Sequence, residues 1–79
     1  MSYDTFKNIT IQQLESLVAL LEAGSFTKAA VKLCISQSAL TKQIKNMEAS
    51  AGATLVIRGS TGAALTAEGQ IIYDYAKRI

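Results

Sequence analysis

Hydrophobic residues recur at helical spacing in four segments of the chain. In the first segment they lie three or four residues apart: Leu14, Leu17, Val18 and Leu21. That spacing places side chains on one face of an α-helix. Thr10 and Gln13 have the sequence form of a capping box, and Gly24 suits the end of a helix because it tolerates positive φ. The pattern predicts a first helix from Ile11 to Ala23.

The second segment is short and is followed closely by a third. Its apolar face is Phe26, Ala29, Ala30 and Leu33. The two adjacent alanines predict that a neighbouring helix crosses closely at this point. Ser25 is the predicted N-cap, and only Cys34 and Ile35 separate Leu33 from Ser36, where a helix begins again. Two helices joined so tightly predict a helix-turn-helix. We expect Cys34 to be a buried or half-buried turn residue, since no basic or histidine neighbour is placed to activate a thiol.

The third segment, residues 36–49, has two unlike faces when it is projected as a helix. Its predicted core face is Leu40, Ile44 and Met47. The opposite face is Ser38, Thr41, Lys42 and Lys45, with Gln37 at its edge. Gln43 falls nearer the buried side, which predicts a packing or hydrogen-bonding residue. Short donors and acceptors in the first turns, with lysines further along, suit a helix that meets base edges and phosphates. The alternative is an ordinary polar surface capped by serine.

A β-prone run and a turn follow the third helix. Residues 54–58 predict one strand, residues 59–62 a turn, and residues 63–65 a second strand. A two-stranded hairpin after a helix-turn-helix is a wing, and this one would carry Arg58 toward a DNA backbone or minor groove. The predicted fold class is therefore mainly α: a winged helix-turn-helix with a three-helix core, a short hairpin wing and a C-terminal linker helix.

The last segment predicts a helix with a wide apolar stripe. Thr66 is its predicted cap, and Glu68 lies in the first turn, where the helix dipole favours an acid. Gly69 inside a helix is destabilising unless something packs closely against it. The stripe is Ile71, Ile72, Tyr75, Ala76 and Ile79. It is broader than a small core can cover, so we expect it to form a dimer interface rather than only to fold back on its own domain.

Composition narrows the function classes. With 79 residues the chain makes one small domain, and 49% hydrophobic with 18% charged residues is a globular composition. No apolar run approaches the ~20 residues of a membrane helix, and the first residues carry no signal-peptide pattern, so we expect a cytoplasmic protein. The sequence has one cysteine and no histidine. It therefore lacks the commonest general base and metal ligand, and we expect no enzyme activity, no metal and no cofactor.

Positive charge is concentrated in the middle of the chain. Residues 24–58 carry five basic residues against Glu48 alone, a net charge of +4, whereas residues 1–23 carry −2 and residues 59–79 balance. The asymmetry favours a polyanionic partner, although lysines on helix surfaces are also common without one.

These elements together resemble the N-terminal winged helix-turn-helix domain of LysR-type transcriptional regulators, from about Ile11 to Ile79. The residues that carry the resemblance are Gly24, Ser25, Phe26, Thr27, Ala29, Ala30, Ser36, Gln37, Ala39, Leu40, Gln43, Ile44, Glu48, Gly52, Leu55, Arg58, Leu65, Thr66 and Gly69. Three positions depart from the family's usual pattern. Ser38 stands where many members have proline, Val56 where phenylalanine is usual, and the wing has no basic residue beyond Arg58. Fewer neutralised phosphates under the wing predict a gentler salt dependence of binding.

The resemblance implies sequence-specific binding of double-stranded DNA, with the third helix in the major groove and the wing on the flanking backbone or minor groove. The implied and predicted DNA-contacting residues are Ser25, Thr27, Ser36, Gln37, Ser38, Thr41, Lys42, Lys45 and Arg58. Of these, Ser25 and Thr27 would meet phosphates at a helix N-terminus.

The resemblance also implies a division of the chain. Residues 1–66 would be the DNA-binding domain and residues 67–79 a linker helix that forms a homodimer, or a tetramer in a full-length protein. Members usually continue into a larger domain that senses a small effector. The chain stops on Ile79 without such a domain, so we expect it to be part of something longer.

Other classes remain as alternatives. A winged helix-turn-helix can serve as a protein-interaction module without binding DNA, and molybdate-responsive regulators carry a similar winged module. An enzyme is the weakest alternative, because the sequence offers no paired acids and no phosphate-binding glycine loop.

Overall fold

A computed structural model of the chain describes residues 8–59 and 62–78, which form four helices and one two-stranded antiparallel hairpin. The elements are α1 (Ile11–Ala23), α2 (Phe26–Leu33), α3 (Gln37–Ala51), β1 (Val56–Gly59), β2 (Gly62–Leu65) and α4 (Ala67–Arg78). This order confirms the predicted winged helix-turn-helix. Within the described residues, no helix has both the length and the apolar character that a membrane span requires.

The first helix begins and ends as its sequence predicts. The Thr10 hydroxyl accepts from the Gln13 backbone N–H at 3.0 Å, and the Gln13 side chain accepts from the Thr10 backbone N–H at 3.1 Å. These reciprocal bonds satisfy donors that the first turn of a helix leaves unpaired. Gly24 ends the helix in the left-handed region with φ of 87°, and its N–H donates to the Leu20 carbonyl.

Serine caps open both helices of the helix-turn-helix. The Ser25 hydroxyl accepts from the Lys28 N–H, and the Ser36 hydroxyl accepts from the Ala39 N–H. Between the two helices, Cys34 lies in the left-handed region with φ of 59° and is exposed. The expectation of a buried or half-buried Cys34 was therefore wrong. The residue ends α2, and its backbone N–H donates to the carbonyls of Ala30 and Val31.

The core lies where α1, α2 and α3 meet. Its fully buried large side chains are Leu17, Leu20, Leu40, Met47, Leu55 and Ile72. Ala29 and Ala30 are 0% and 4% exposed, which confirms that small side chains fill this crossing. The third helix continues to Ala51, two residues beyond its predicted end, and Gly52 then ends it in the left-handed region.

The wing is short and begins later than predicted. Val56 pairs with Leu65 and Gly59 pairs with Gly62 at the two ends of the ladder. Residues 54 and 55 lie outside β1. The tip residues 60 and 61 of the predicted turn fall outside the described residues. The hairpin also contacts the end of α1, since the Ala63 N–H donates to the Gly24 carbonyl at 3.3 Å.

The last helix packs back onto α1 and onto the base of the wing. The Thr66 hydroxyl accepts from the Gly69 N–H at 3.0 Å, which confirms Thr66 as the cap. A Cβ at Gly69 would lie 2.1 Å from the Leu55 carbonyl oxygen. The close packing that a glycine inside this helix predicts is therefore present, and it leaves no room for a side chain.

Candidate nucleic-acid interface

The outer face of α3 is polar and the inner face is apolar. Ser38, Lys42 and Lys45 are exposed, whereas Leu40, Ile44 and Met47 are at most 3% exposed. This confirms the predicted two-faced helix. On the flank of the helix, Gln43 is half-buried, and its side-chain amide forms a hydrogen bond with the Ser16 hydroxyl of α1. The predicted hydrogen-bonding role of Gln43 is also confirmed.

At the N-terminal end of α3, the candidate residues contact one another. The Thr27 hydroxyl at the start of α2 donates to Gln37 Oε1 at 3.2 Å. The hydroxyl oxygens of Ser36 and Ser38 lie 3.2 Å apart, also within hydrogen-bonding distance. The side chains of Thr27, Ser36, Gln37 and Ser38 are all exposed. The start of α3 is therefore a polar surface whose side chains are already oriented by mutual hydrogen bonds.

The exposed Arg58 side chain of the wing lies against the helix-turn-helix. Its guanidinium lies over the Phe26 ring, 3.7 Å from the ring centroid, and donates to the Thr41 hydroxyl at 2.7 Å. A planar guanidinium is well suited to stack on an aromatic face while it donates in its own plane. Arg58 therefore joins the wing to both helices of the helix-turn-helix. Sequence analysis placed Phe26 on the apolar face of its helix but did not find its contact with Arg58.

Glu48 is a structural residue that sequence analysis did not assign. Its Oε2 accepts from the backbone N–H groups of Leu55 and Val56 at 2.8 and 3.2 Å. The bonds connect the last turns of α3 to the start of β1, so the wing is fixed relative to the helix. The sequence does contain one indication of this structural role, because Glu48 is the lone acid among residues 24–58.

The ion pairs of the described residues join two lysines, from two different helices, to one carboxylate. Lys32 lies 3.3 Å from Glu22 of α1, and Lys77 of α4 lies 3.0 Å from the same carboxylate. The hydrogen bond from Lys77, followed by that from Lys32, lowers the pKa of Glu22, and the bond to Glu22 raises the pKa of Lys77. Within residues 8–59 and 62–78, no ion pair forms to Lys42 or Lys45 on α3.

The predicted dimerisation residues occupy two different environments on α4. Ile71 and Tyr75 are 50% and 46% exposed, whereas Ile72 is 0% exposed and belongs to the core. Ala76 is half-buried against that core, and Ile79 falls outside the described residues. Assigning Ile72 to an interface between chains does not fit its position, because α4 packs back onto α1 and turns that side chain inward. The exposed part of the predicted stripe is narrower, and it centres on Ile71 and Tyr75.

A helix-turn-helix followed by a two-stranded antiparallel wing defines the class of winged helix-turn-helix domains. The sequence pattern of the bacterial regulatory helix-turn-helix proteins of the LysR family matches residues 11–70. The chain belongs to this family.

Curated relatives share the family and are longer. The chain is 45% identical over 69 residues to the HTH-type transcriptional regulator BenM of Acinetobacter baylyi, which covers 87% of this chain and 23% of that protein. It is 44% identical over 69 residues to the regulator TfdT of Cupriavidus pinatubonensis, covering 87% of this chain and 30% of TfdT. The chain thus spans less than a third of the length of either relative.

Solved structures of the family share the fold. A complex of the BenM DNA-binding domain with catB site 1 DNA has a TM-score of 0.82 at 45% identity, covering 87% of this chain and 78% of that one. A complex of the CbnR DNA-binding domain with DNA also has a TM-score of 0.82, at 36% identity, covering 87% of this chain and 79% of that one.

Proposed function

We propose that this chain binds double-stranded DNA sequence-specifically as the DNA-binding domain of a bacterial LysR-type transcriptional regulator, with α3 in the major groove. The observation that carries the proposal is the outer face of α3, where exposed serine, glutamine and lysine side chains lie opposite a buried apolar face. Side-chain amides and hydroxyls recognise base edges, and lysines neutralise phosphates. The DNA complexes of the BenM and CbnR domains support this assignment.

The candidate residues divide into two roles. Gln37, Ser38 and Thr41 lie in the first turns of α3 and would face base edges. Lys42 and Lys45, further along the same face, would neutralise phosphates, and Ser25 would meet a phosphate beside the N-terminus of α2. Arg58 would approach the backbone from its place beside Thr41, where the guanidinium keeps donors beyond the one that it gives to the hydroxyl.

The test begins with selection from a library of random-sequence duplexes, followed by titration of the selected duplex and of an unrelated one. Gln37→Ala should weaken binding to the selected duplex by roughly 1–3 kcal/mol and should relax its sequence preference. Lys45→Ala should weaken binding to both duplexes about equally, because a phosphate contact carries no sequence information. Circular dichroism checks that both variants keep the fold.

Two results would contradict the proposal. One is that no sequence is enriched at low salt, which would favour the alternative of a protein-interaction module. The other is that both variants retain the parent's affinity, which would move the DNA-contacting surface away from α3.

We further infer that α4 forms a homodimer interface through Ile71 and Tyr75, which divides the chain into a DNA-binding domain (residues 1–66) and a linker helix (residues 67–79). The two half-exposed apolar side chains support this. A two-fold dimer would place two copies of α3 on two half-sites of the DNA. The greater length of BenM and TfdT supports a further domain in the whole protein, which would bind a small effector in the cytoplasm.

A further inference from the structure

A small cleft lies between α3 and the wing, and two cations line it. Its volume is about 150 Å³, and its lining includes Thr41, Lys45 and Glu48 of α3 together with Arg58 of β1. Sites for organic ligands usually have volumes of ~300–1,000 Å³, so this cleft suits a smaller group.

The two cations come from different elements but are neighbours in space. The Arg58 guanidinium donates to the Thr41 hydroxyl at 2.7 Å, and it lies over the Phe26 ring. Thr41 and Lys45 are four residues apart on α3, which places their side chains one turn apart on the same side of the helix. The guanidinium therefore lies about one helical turn from the position of the lysine, and both groups line the same cleft.

The charge of the cleft is not balanced within the described residues. Among these residues, neither Lys45 nor Arg58 forms an ion pair. Glu48 also lines the cleft, but its Oε2 accepts from the backbone N–H groups of Leu55 and Val56. One carboxylate and two cations leave a net charge of +1. Because each phosphate of a DNA backbone carries one negative charge, a single phosphate would neutralise the cleft.

We propose that Lys45 and Arg58 bind one and the same backbone phosphate, which would lie between α3 and the wing. This inference rests on the proposed function, which gives each cation a phosphate contact without deciding whether the phosphate is shared. Arg58 keeps donors beyond the one that it gives to Thr41, and the ammonium group of Lys45 has three. Both side chains can therefore donate to oxygens of one phosphate, and such charge-assisted hydrogen bonds are stronger than neutral ones.

The contacts of Arg58 prepare this site for binding. The ring of Phe26 under the guanidinium and the hydroxyl of Thr41 beside it hold the side chain in one place. A side chain that is already ordered loses less conformational entropy on binding than a free one. Lys45 is exposed, and its flexible stem allows the ammonium group to approach a phosphate that Arg58 has positioned.

The experiment replaces single phosphates of the selected duplex by neutral methylphosphonates, one position at a time (in both half-sites where the duplex is palindromic). The parent, Lys45→Gln and Arg58→Gln are titrated with every duplex of this series. When the phosphate that a side chain contacts is made neutral, the parent loses that contact too, so parent and variant should then bind equally. Lys42→Gln is the matched control, because Lys42 is exposed on the same helix but does not line the cleft.

On the unmodified duplex, Lys45→Gln and Arg58→Gln should each bind roughly tenfold more weakly than the parent, because each loses charge-assisted bonds. Both differences should disappear at the same methylphosphonate position. The difference between Lys42→Gln and the parent should disappear at another position.

Thermal melts should show that the variants keep the fold, since Lys45 and Arg58 are both exposed. Arg58→Lys is a second variant for the wing, which keeps the charge but lacks the planar group that stacks on Phe26. It should bind the unmodified duplex more weakly than the parent, and this difference should disappear at the same position.

Three outcomes would overturn the proposal. If the differences for Lys45→Gln and Arg58→Gln disappear at different positions, the two cations bind separate phosphates. If Arg58→Gln binds as tightly as the parent, or if no position removes its difference, Arg58 only joins the wing to the helices. These two results leave DNA binding intact, whereas a parent that binds no duplex contradicts the proposed function and this inference with it.

Discussion

The helices α3 and α4 are both amphipathic, but their outer faces differ in chemistry. The inner faces are alike, since Leu40, Ile44 and Met47 of α3 and Ile72 of α4 are buried in one core. The outer face of α3 carries hydroxyls, an amide and lysines, whereas that of α4 exposes about half of Ile71 and Tyr75. In both helices the inner face contributes to the core of the fold, and the outer face indicates the kind of partner. A polar, cationic face suits a polyanion, and an apolar face suits another protein surface.

The largest loss of stability should come from a substitution that forces α4 away from Leu55 at the base of the wing. In Gly69→Ala, the new Cβ would lie 2.1 Å from the Leu55 carbonyl oxygen, so the backbone of one element must shift. We expect a loss of about 3 kcal/mol or more in the free energy of unfolding, although alanine ordinarily stabilises a helix relative to glycine. Urea denaturation followed by circular dichroism measures it.

Gly59→Ala is the matched control, because a Cβ there would meet its nearest neighbour, the Gly62 carbonyl oxygen, at an ordinary 3.8 Å. It should change the free energy of unfolding by less than about 0.5 kcal/mol. If Gly69→Ala is as stable as the parent, α4 does not pack against the base of the wing in the way described.

An intermediate effect should follow from changing the outer face of α4. Ile71→Asp should leave the fold intact, because the side chain is 50% exposed, but it should prevent self-association through this face. Burying a large apolar side chain contributes ~1.5–3 kcal/mol, and a two-fold interface counts each substitution twice. Sedimentation equilibrium at micromolar concentration should show a dimer for the parent and a monomer for the variant.

Val31→Asp serves as the comparison, since Val31 is 75% exposed on α2 and lies outside the predicted interface. It should sediment like the parent. If the parent is strictly monomeric, or if Ile71→Asp leaves its dimer unchanged, the outer face of α4 is not a dimer interface.

The smallest effect should be the pH dependence of stability that arises from the ion pair between Lys77 of α4 and Glu22 of α1. The pKa of Glu22 is lowered, so its contribution to stability is present above its ordinary pKa of 4.5 and is lost as the pH falls through the lowered value. The pKa of Lys77 is raised, so its contribution is present below 10.5 and is lost as the pH rises through the raised value.

Thermal melts between acid and alkaline pH check both signs. Glu22→Gln should flatten the profile at both ends, and high salt should do the same to the parent, because exposed ion pairs are screened. Glu15→Gln removes another exposed carboxylate of the same helix and should leave the alkaline end unchanged. If Glu22→Gln still loses stability at alkaline pH as the parent does, that loss arises from groups other than the Glu22–Lys77 pair.

Local signals in the sequence predicted the fold more completely than the site. The cap residues Thr10, Ser25, Ser36 and Thr66 and the terminating Gly24 and Gly52 act within a few residues of themselves, so sequence shows them directly. The contacts between Thr27 and Gln37 and between Arg58 and Phe26 depend on how separate elements pack. The burial of Ile72 depends on the return of α4 to α1 in the same way. Spacing along one helix does not show which other element lies beside it, so the sequence alone did not predict these contacts.

The two hydrogen bonds that Glu48 accepts from the start of β1 have a further consequence. They connect α3 to the wing, so the separation between the groove that α3 would enter and the strand beneath the wing would be set before the domain meets DNA. A duplex must then adjust its own twist and groove width to touch both at once. The energy of that adjustment depends on base-pair steps that no side chain contacts, so flexible steps between the two contact points should be selected along with the bases that α3 faces.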